Sequence, residues 1–175
     1  MRPMSTTMLA ALSFLILAIP AAFADVHEIA KSNGWTAYAG RSEDNRAMCA
    51  VGATGGGRWF GMKYFTGDSA LTIQMSKNTW KLRDGIRVAV TAQFDDHGKW
   101  SASAKGFHMS DGDGALEFTI PVKSIDTWVD EFKNSQRMII RFPGQDIDDW
   151  QADLSGTENV TGPFGICIAS VLMTN

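Results

Sequence analysis

The side chains best suited to acid–base chemistry and metal binding are three histidines and 19 carboxylates, and their spacing in this sequence matches no catalytic or metal-binding motif. The histidines are His27, His97 and His108, and no two of them have the spacing that brings two imidazoles onto one metal ion. Asp95-Asp96-His97 places carboxylates beside an imidazole, as general acid–base catalysis requires. Gly98 follows, however, and a hairpin turn would leave these groups solvated, which argues against a catalytic role. We therefore predict no catalytic residue and no zinc site.

Two acidic clusters are the remaining candidates for cation binding. Asp111-Gly112-Asp113-Gly114 with Glu117 offers the oxygen ligands that calcium prefers, but it lacks the ligand spacing of an EF-hand loop. Gln145-Asp146-Ile147-Asp148-Asp149 holds three carboxylates in four residues. We predict solvated turns at both clusters and no bound metal. Asp95 and Asp148 remain open as the acidic residues of an alternative function, a hydrolase of envelope material.

The glycine-rich stretch Gly52–Arg58 approaches the G-x-x-x-x-G pattern of a phosphate-binding loop. Arg58 and Trp59 replace the lysine and the hydroxyl residue that follow in that motif, and the next residues predict a strand rather than a helix. A glycine-rich hairpin turn is therefore the better interpretation. The chain also lacks the G-x-S-x-G and S-x-x-K patterns of activated serines, so we predict neither a nucleophile nor a cofactor.

Aromatic residues are the other candidates for ligand contact. Five of the six tryptophans lie in or beside predicted elements, where a core position and a position in a carbohydrate or hydrophobic ligand site both remain open. Trp80 is flanked by polar residues where a strand should turn, so we expect an exposed ring that contacts a ligand or partner. Arg58, at the end of the glycine-rich turn, is the charged candidate.

The strands that must position these residues follow from period-two alternation of apolar and polar side chains. The clearest example runs from Ile86 to Phe94, and Asp96-His97-Gly98 then predicts a tight turn into a strand that begins at Trp100. This spacing of strands and Gly/Asp turns predicts an antiparallel β-sandwich or a barrel-like sheet. The other predicted strands are 59–65, 71–76, 116–120, 138–142 and 150–154.

Two segments depart from the strand pattern. The first, at about 124–134, predicts an amphipathic helix packed on the sheet, with Ser124 as its N-cap. Its apolar side chains at i, i+3, i+4 and i+7 are Ile125, Trp128, Val129 and Phe132. The second, 155–175, mixes helical spacing with glycine and proline, so we predict a partly helical C-terminal segment.

Residues 1–24 have the pattern of a cleavable secretory signal peptide. Arg2 precedes the apolar run Met8–Ile19, which is interrupted only by Ser13, and Pro20 ends this run. Ala22-Phe23-Ala24 then supplies the small residues that signal peptidase requires, so we expect the mature chain to begin at Asp25. The apolar run is shorter than the roughly 20 residues that cross a bilayer, which favours cleavage over anchoring.

Residues 25–175 are expected to form a single β-rich domain in the periplasm or outside the cell. They carry 15 basic and 19 acidic residues, a formal charge of −4, and the basic residues are scattered. Nucleic acid and membranes are therefore not expected partners. Cys49 and Cys167 are the only cysteines, and an even count in an exported chain predicts a disulfide between them. A redox or metal-binding thiol is the alternative.

Several short features occur in a fixed order along the chain: Gly34-Trp35, Cys49, Leu71–Met75, Trp80, Gly85–Val88, Met138–Phe142, Leu154–Thr157, Phe164 and Cys167. This order resembles the invasion-associated locus B family of α-proteobacterial periplasmic proteins. The resemblance implies a disulfide-bonded β-sandwich in the periplasm or on the cell surface, acting in envelope stress or host interaction, with no catalytic residues to carry over.

The sequence thus predicts an exported protein that binds another protein, an envelope component or a small ligand and has no catalytic site. Two alternatives come from other classes. One is the acidic-residue hydrolase named above. The other is an inhibitor or immunity-type protein that blocks a secreted enzyme.

Overall fold

The computed structural model describes residues 25–173, so the predicted signal peptide lies outside the described residues. These residues form ten strands, two α-helices and one turn of 3-10 helix, Val122–Ser124. The α-helices are α1 (Ile125–Asn134) and α2 (Thr157–Leu172). The strands are β1 (Val26–Ser32), β2 (Trp35–Arg41), β3 (Ala47–Gly55), β4 (Arg58–Phe65), β5 (Ala70–Lys77), β6 (Arg87–Phe94), β7 (Trp100–His108), β8 (Gly114–Pro121), β9 (Arg137–Arg141) and β10 (Trp150–Asp153).

All ten strands belong to one antiparallel sheet, in the order β1-β2-β3-β4-β5-β8-β7-β6-β9-β10. The first five strands follow each other as hairpins, and the later strands join them through β8. This arrangement confirms the predicted fold class, a mainly β protein with an antiparallel sheet, one amphipathic helix and a helical C-terminal segment. The sheet stays open, because no backbone pairing joins β1 to β10.

Alternating side chains explain why the predicted strands form. On β6, Val88, Val90, Ala92 and Phe94 are buried while the residues between them are more exposed. A strand with this pattern covers the core with one face and meets solvent with the other. β1, β2 and β3 were not predicted. β2 and β3 are rich in alanine and glycine, which carry little β-propensity.

The sheet curls around α1, which lies against its inner face. Trp128 of α1 packs edge-on against Phe94 of β6, with ring centroids 4.9 Å apart. One turn later, Phe132 contacts Trp35 of β2 at 5.0 Å. A single helix therefore touches strands from both halves of the sheet. The β2 and β10 regions also meet, because Trp35 Nε1 donates a hydrogen bond of 3.1 Å to the carbonyl oxygen of Asp153.

α2 covers the inner face of β1, β2 and β3 and is tied to β3 by the disulfide. Cys49 and Cys167 are bonded, with their Cα atoms 5.9 Å apart, which confirms the predicted pair. The C-terminal segment is a continuous helix of 16 residues, with Pro163 inside it. It is more regular than predicted, because its buried side chains are held against the sheet and α1. These side chains are Thr157, Val160, Thr161, Phe164, Ile168 and Val171.

The N-cap residue of α1 is the one predicted, but the helix start is not stabilised by its side chain. Ser124 occupies the N-cap position of α1, but its side chain makes no capping hydrogen bond. The 3-10 turn runs directly into the helix, and the backbone N–H of Ile125 is paired with the carbonyl oxygen of Val122. The chain therefore enters α1 from a preceding turn instead of through a capping side chain.

Candidate ligand-binding groove

The outer face of β1 to β4, which points away from both helices, carries a groove of about 480 Å³. We call it the Trp59 groove. Its floor consists of small residues, and larger side chains form its walls. The floor residues are Thr36, Ala50, Gly52 and Gly61, and the principal wall residues are Lys31, Tyr38, Met48, Trp59 and Lys63.

Strand register explains why the floor is low. Thr36 of β2 pairs with Gly52 of β3, which pairs with Gly61 of β4. Directly paired residues of antiparallel strands project from the same face, so these three residues form a row across the sheet. Ala50 lies on the same face in the next row, opposite Tyr38. Three adjacent strands therefore present small side chains at one place.

Gly61 allows the indole of Trp59 to lie along the sheet. A Cβ atom at position 61 would lie 2.5 Å from Cζ2 of the Trp59 ring, too close for any residue other than glycine unless the ring moved. The ring also extends towards Gly52, where a Cβ atom would be 3.7 Å from Trp59 Nε1. The two glycines thus let an indole form a flat side of the groove.

Lys63 completes this side of the groove. It follows Gly61 on the same face of β4, and its Nζ lies 5.4 Å from the centroid of the Trp59 ring, within cation–π range. Burial lowers the pKa of Lys63, and the charge of Glu117 opposes this effect. Glu117 itself accepts a hydrogen bond of 2.6 Å from Gln74 Nε2. Within residues 25–173, no carboxylate lies within ion-pair distance of Lys63.

The groove carries positive charge without a matching negative one. Lys31 lies on the outer face of β1, directly opposite Thr36, and lines the groove together with Lys63. The described residues that line the groove include no aspartate or glutamate. Glu28 pairs with Tyr38 on the same face of β1 but does not line the groove. A ligand in this groove would therefore meet two ammonium groups and an indole.

Arg58, predicted as a contact residue, lines a neighbouring cavity of about 220 Å³ at the end of the β3–β4 hairpin. This cavity shares Gly34, Ala53 and Thr54 with the Trp59 groove, so the two adjoin. The turn at Gly55–Arg58 joins two strands, as the sequence predicts. Trp150 lies in the wall of the second cavity and packs on Phe60.

Trp80 does not occupy the exposed position that the sequence predicts. Its side chain is only 9% exposed and packs edge-on against Phe142, with ring centroids 5.5 Å apart. The start of β8 also passes close by, because a Cβ atom at Gly114 would lie 2.5 Å from the carbonyl oxygen of Trp80. The prediction of an exposed Trp80 ring, which was based on its polar neighbours in sequence, is therefore wrong. The ring borders a separate cavity, away from the Trp59 groove and from Arg58.

The carboxylates considered for catalysis have separate structural partners. Asp95 accepts hydrogen bonds from the backbone N–H groups of Gln136 and Arg137, at 2.8 and 3.0 Å, and so fixes the start of β9. Asp148 is exposed and forms an ion pair of 3.4 Å with Lys77. The structure does not unite these carboxylates in one cavity.

The histidines and the other acidic cluster also lie outside the groove. His108 Nδ1 and Asp84 Oδ1 are 2.7 Å apart on the surface, a pair that sequence spacing did not predict. In the turn before β8, the carboxylate of Asp111 accepts a hydrogen bond from the N–H of Asp113. No group of three or more potential metal ligands occurs among residues 25–173.

Trp59 and Lys63 were not predicted from the sequence as contact residues. The spacing of Trp59, Gly61 and Lys63 could have predicted them. If 59–65 is a strand, Trp59, Gly61 and Lys63 share a face, and a glycine between a large aromatic and a lysine leaves room for both side chains to lean together. The sequence does not show that β2 and β3 place small residues beside this face.

Comparison of this chain with models of known families, with curated proteins and with solved structures gives no match. None of the helices formed by residues 25–173 is long and apolar enough to cross a membrane. The function proposed below is therefore based on the geometry of the groove.

Proposed function

We propose that this protein is an exported binding protein and that the Trp59 groove is its ligand site. The observation that carries this proposal is the combination of a concave surface of about 480 Å³, a flat indole and a half-buried ammonium group. Ligand sites of small molecules typically have this volume, an apolar lining and a few placed polar groups.

The titratable groups of the groove suit recognition. Lys31, Lys63 and Tyr38 are the ionisable side chains among the residues that line it. Lysines attract negative charge, while an indole and a methionine provide apolar contact. A ligand would be held by its shape and charge, and the proposal includes no chemical step.

Export is part of this proposal. The disulfide between Cys49 and Cys167 supports an oxidising compartment, because such bonds persist in the periplasm and outside the cell. The features that resemble the invasion-associated locus B family agree with the same location. Mass spectrometry of the protein recovered from its native host tests this part. We expect an N-terminus at Asp25 and a mass lower by two hydrogen atoms than that of the reduced chain.

The binding site is tested with the mature protein by ligand-observed NMR against a library of small soluble compounds. Trp59→Ala removes the flat side of the groove, and we expect it to abolish the binding of compounds that bind the wild type. Ile166→Ala is the matched control, because Ile166 is an apolar side chain on α2 that is 74% exposed and lies outside the groove. Equal binding to wild-type protein and a folded Trp59→Ala variant would place the ligand site elsewhere.

A further inference from the structure

We infer that the ligand of the Trp59 groove is a small aromatic carboxylate, with its ring against the indole of Trp59 and its carboxylate at the ammonium group of Lys63. This inference rests on the proposed function and adds the chemical class of the ligand. It follows from the shape of the Trp59 side, from the lack of a direct ion pair at Lys63 within residues 25–173, and from the size of the groove.

The shape favours a flat molecule. The Trp59 ring lies along the sheet because Gly61 and Gly52 have no side chains beneath or beside it. Aromatic rings stack on such a surface or meet it edge-on, and this contact contributes about 0.5–1.5 kcal/mol beyond the burial of area. Tyr38 and Met48 provide further apolar surface across the floor.

The charge favours an anion. Lys63 is half-buried, and burial of an ammonium group without a carboxylate partner is unfavourable. Its ammonium group lies over the Trp59 ring, and the carboxylate of Glu117 attracts it without forming an ion pair and is hydrogen-bonded to Gln74. A ligand carboxylate at Lys63 would form the direct ion pair that Glu117 does not form, and the positive charge of Lys31 on the opposite side of the groove would also attract it.

The dimensions favour a small molecule. The floor spans β2, β3 and β4, and antiparallel strands lie about 4.8 Å apart, so the floor is roughly 10 Å across. One or two fused rings with a carboxylate fit this width. Lys63 Nζ lies over the Trp59 ring, 5.4 Å from its centroid, so one small ligand can reach both the indole and the cation.

Isothermal titration calorimetry of the mature protein tests this inference with two probes of equal shape, 2-naphthoate and the uncharged 2-naphthalenemethanol. We expect naphthoate to bind about tenfold to a hundredfold more tightly, the range for a hydrogen bond to a charged group. Lys63→Met keeps most of the side-chain length and removes the charge, so this difference should disappear. Lys105→Met is the matched control, because Lys105 is an exposed lysine on the outer face of β7, opposite Glu117 and outside the groove.

Two further outcomes separate this inference from the proposed function. Equal affinity for both probes, or an equal loss in both lysine variants, overturns the assignment of an anionic ligand while the groove remains a binding site. Failure of both probes to bind overturns the aromatic carboxylate class, and the proposed function then depends on the Trp59→Ala screen.

The Gly61→Ala variant tests stacking on Trp59. It keeps every side chain of the groove but displaces the Trp59 ring, and we expect it to weaken the binding of both probes. Unchanged binding to this variant would exclude stacking on Trp59.

Discussion

Removing the disulfide should destabilise this protein more than most single surface changes do. The bond joins Cys49 on β3 to Cys167 on α2, and the two cysteines are 118 residues apart in sequence. The bridge thus closes a loop that contains most of the sheet, and it acts mainly by limiting the conformations of the unfolded chain. The perturbation is the double variant Cys49→Ala/Cys167→Ala, which leaves no free thiol.

The loop length gives the expected magnitude. In the chain-entropy treatment, a closed loop of this size contributes about 5 kcal/mol to the free energy of unfolding at 25 °C. A domain of this size changes its melting temperature by about 2–4 °C per kcal/mol, so the double variant should melt about 10–20 °C lower. Cys49 is fully buried, so the alanine also leaves a small cavity that adds to the loss.

Urea denaturation followed by circular dichroism measures this difference. The oxidised wild type, the reduced wild type and the double variant are compared at one pH, and the two proteins without the bond should agree within about 1 kcal/mol because only the cavity separates them. A loss of less than about 1 kcal/mol in both would refute the loop-closure reasoning. A loss in the double variant but not in reduced wild type would assign the effect to packing around Cys49.

Three other predictions concern single residues. Asp95→Ala removes the acceptor of two backbone N–H groups at the start of β9, so urea denaturation should show a loss of about 1–3 kcal/mol. Asp95→Asn should lower the free energy of unfolding less, because asparagine keeps an acceptor and tolerates the positive φ of this residue. An equal loss in both variants would contradict this reasoning. Pro163→Ala restores a backbone N–H that can bond the carbonyl oxygen of Asn159 in the second turn of α2. We therefore expect the free energy of unfolding to rise by about 1 kcal/mol in the same assay, and a decrease would contradict this prediction. Burial, and then the charge of Asp68, raise the pKa of Tyr64 above its ordinary 10.0, so the folded state holds this proton more tightly than the unfolded state does. The free energy of unfolding should therefore fall as the pH rises past 10.0, and Tyr64→Phe should remove this part of the fall in denaturation curves measured across that range.

The sequence was most informative where one element determines its own pattern. The strands around Leu71–Met75, Val88–Phe94 and Leu116–Ile120 and the helix at α1 were predicted because period-two and period-3.6 patterns follow from local geometry. β2 and β3 escaped prediction because their alanines and glycines carry no clear periodicity. They form because their neighbours in the sheet supply the hydrogen bonds and the core.

Trp80 and Trp59 show that the polarity of neighbouring residues in sequence does not determine the position of a tryptophan ring. Trp80 has polar neighbours along the chain, yet Phe142 packs against its ring from a distant part of the sequence. Trp59 lies in an apolar stretch, yet its ring lies on the outer face, where Gly61 leaves it space beside Lys63. The burial of a side chain depends on all the segments that surround it, and local polarity reports only its chain neighbours.

Composition, cysteine count and side-chain periodicity by themselves determined that this is a β-rich chain with an amphipathic helix and a disulfide that ties down its C-terminal segment. The pairing of Cys49 with Cys167 needed only an even count and the expectation of export, and the structure confirmed it. The Trp59 groove needed the tertiary structure, because its floor exists only when the register sets Thr36, Gly52 and Gly61 side by side on three strands. A shift of one residue in either pairing would turn these small residues to opposite faces and remove the groove.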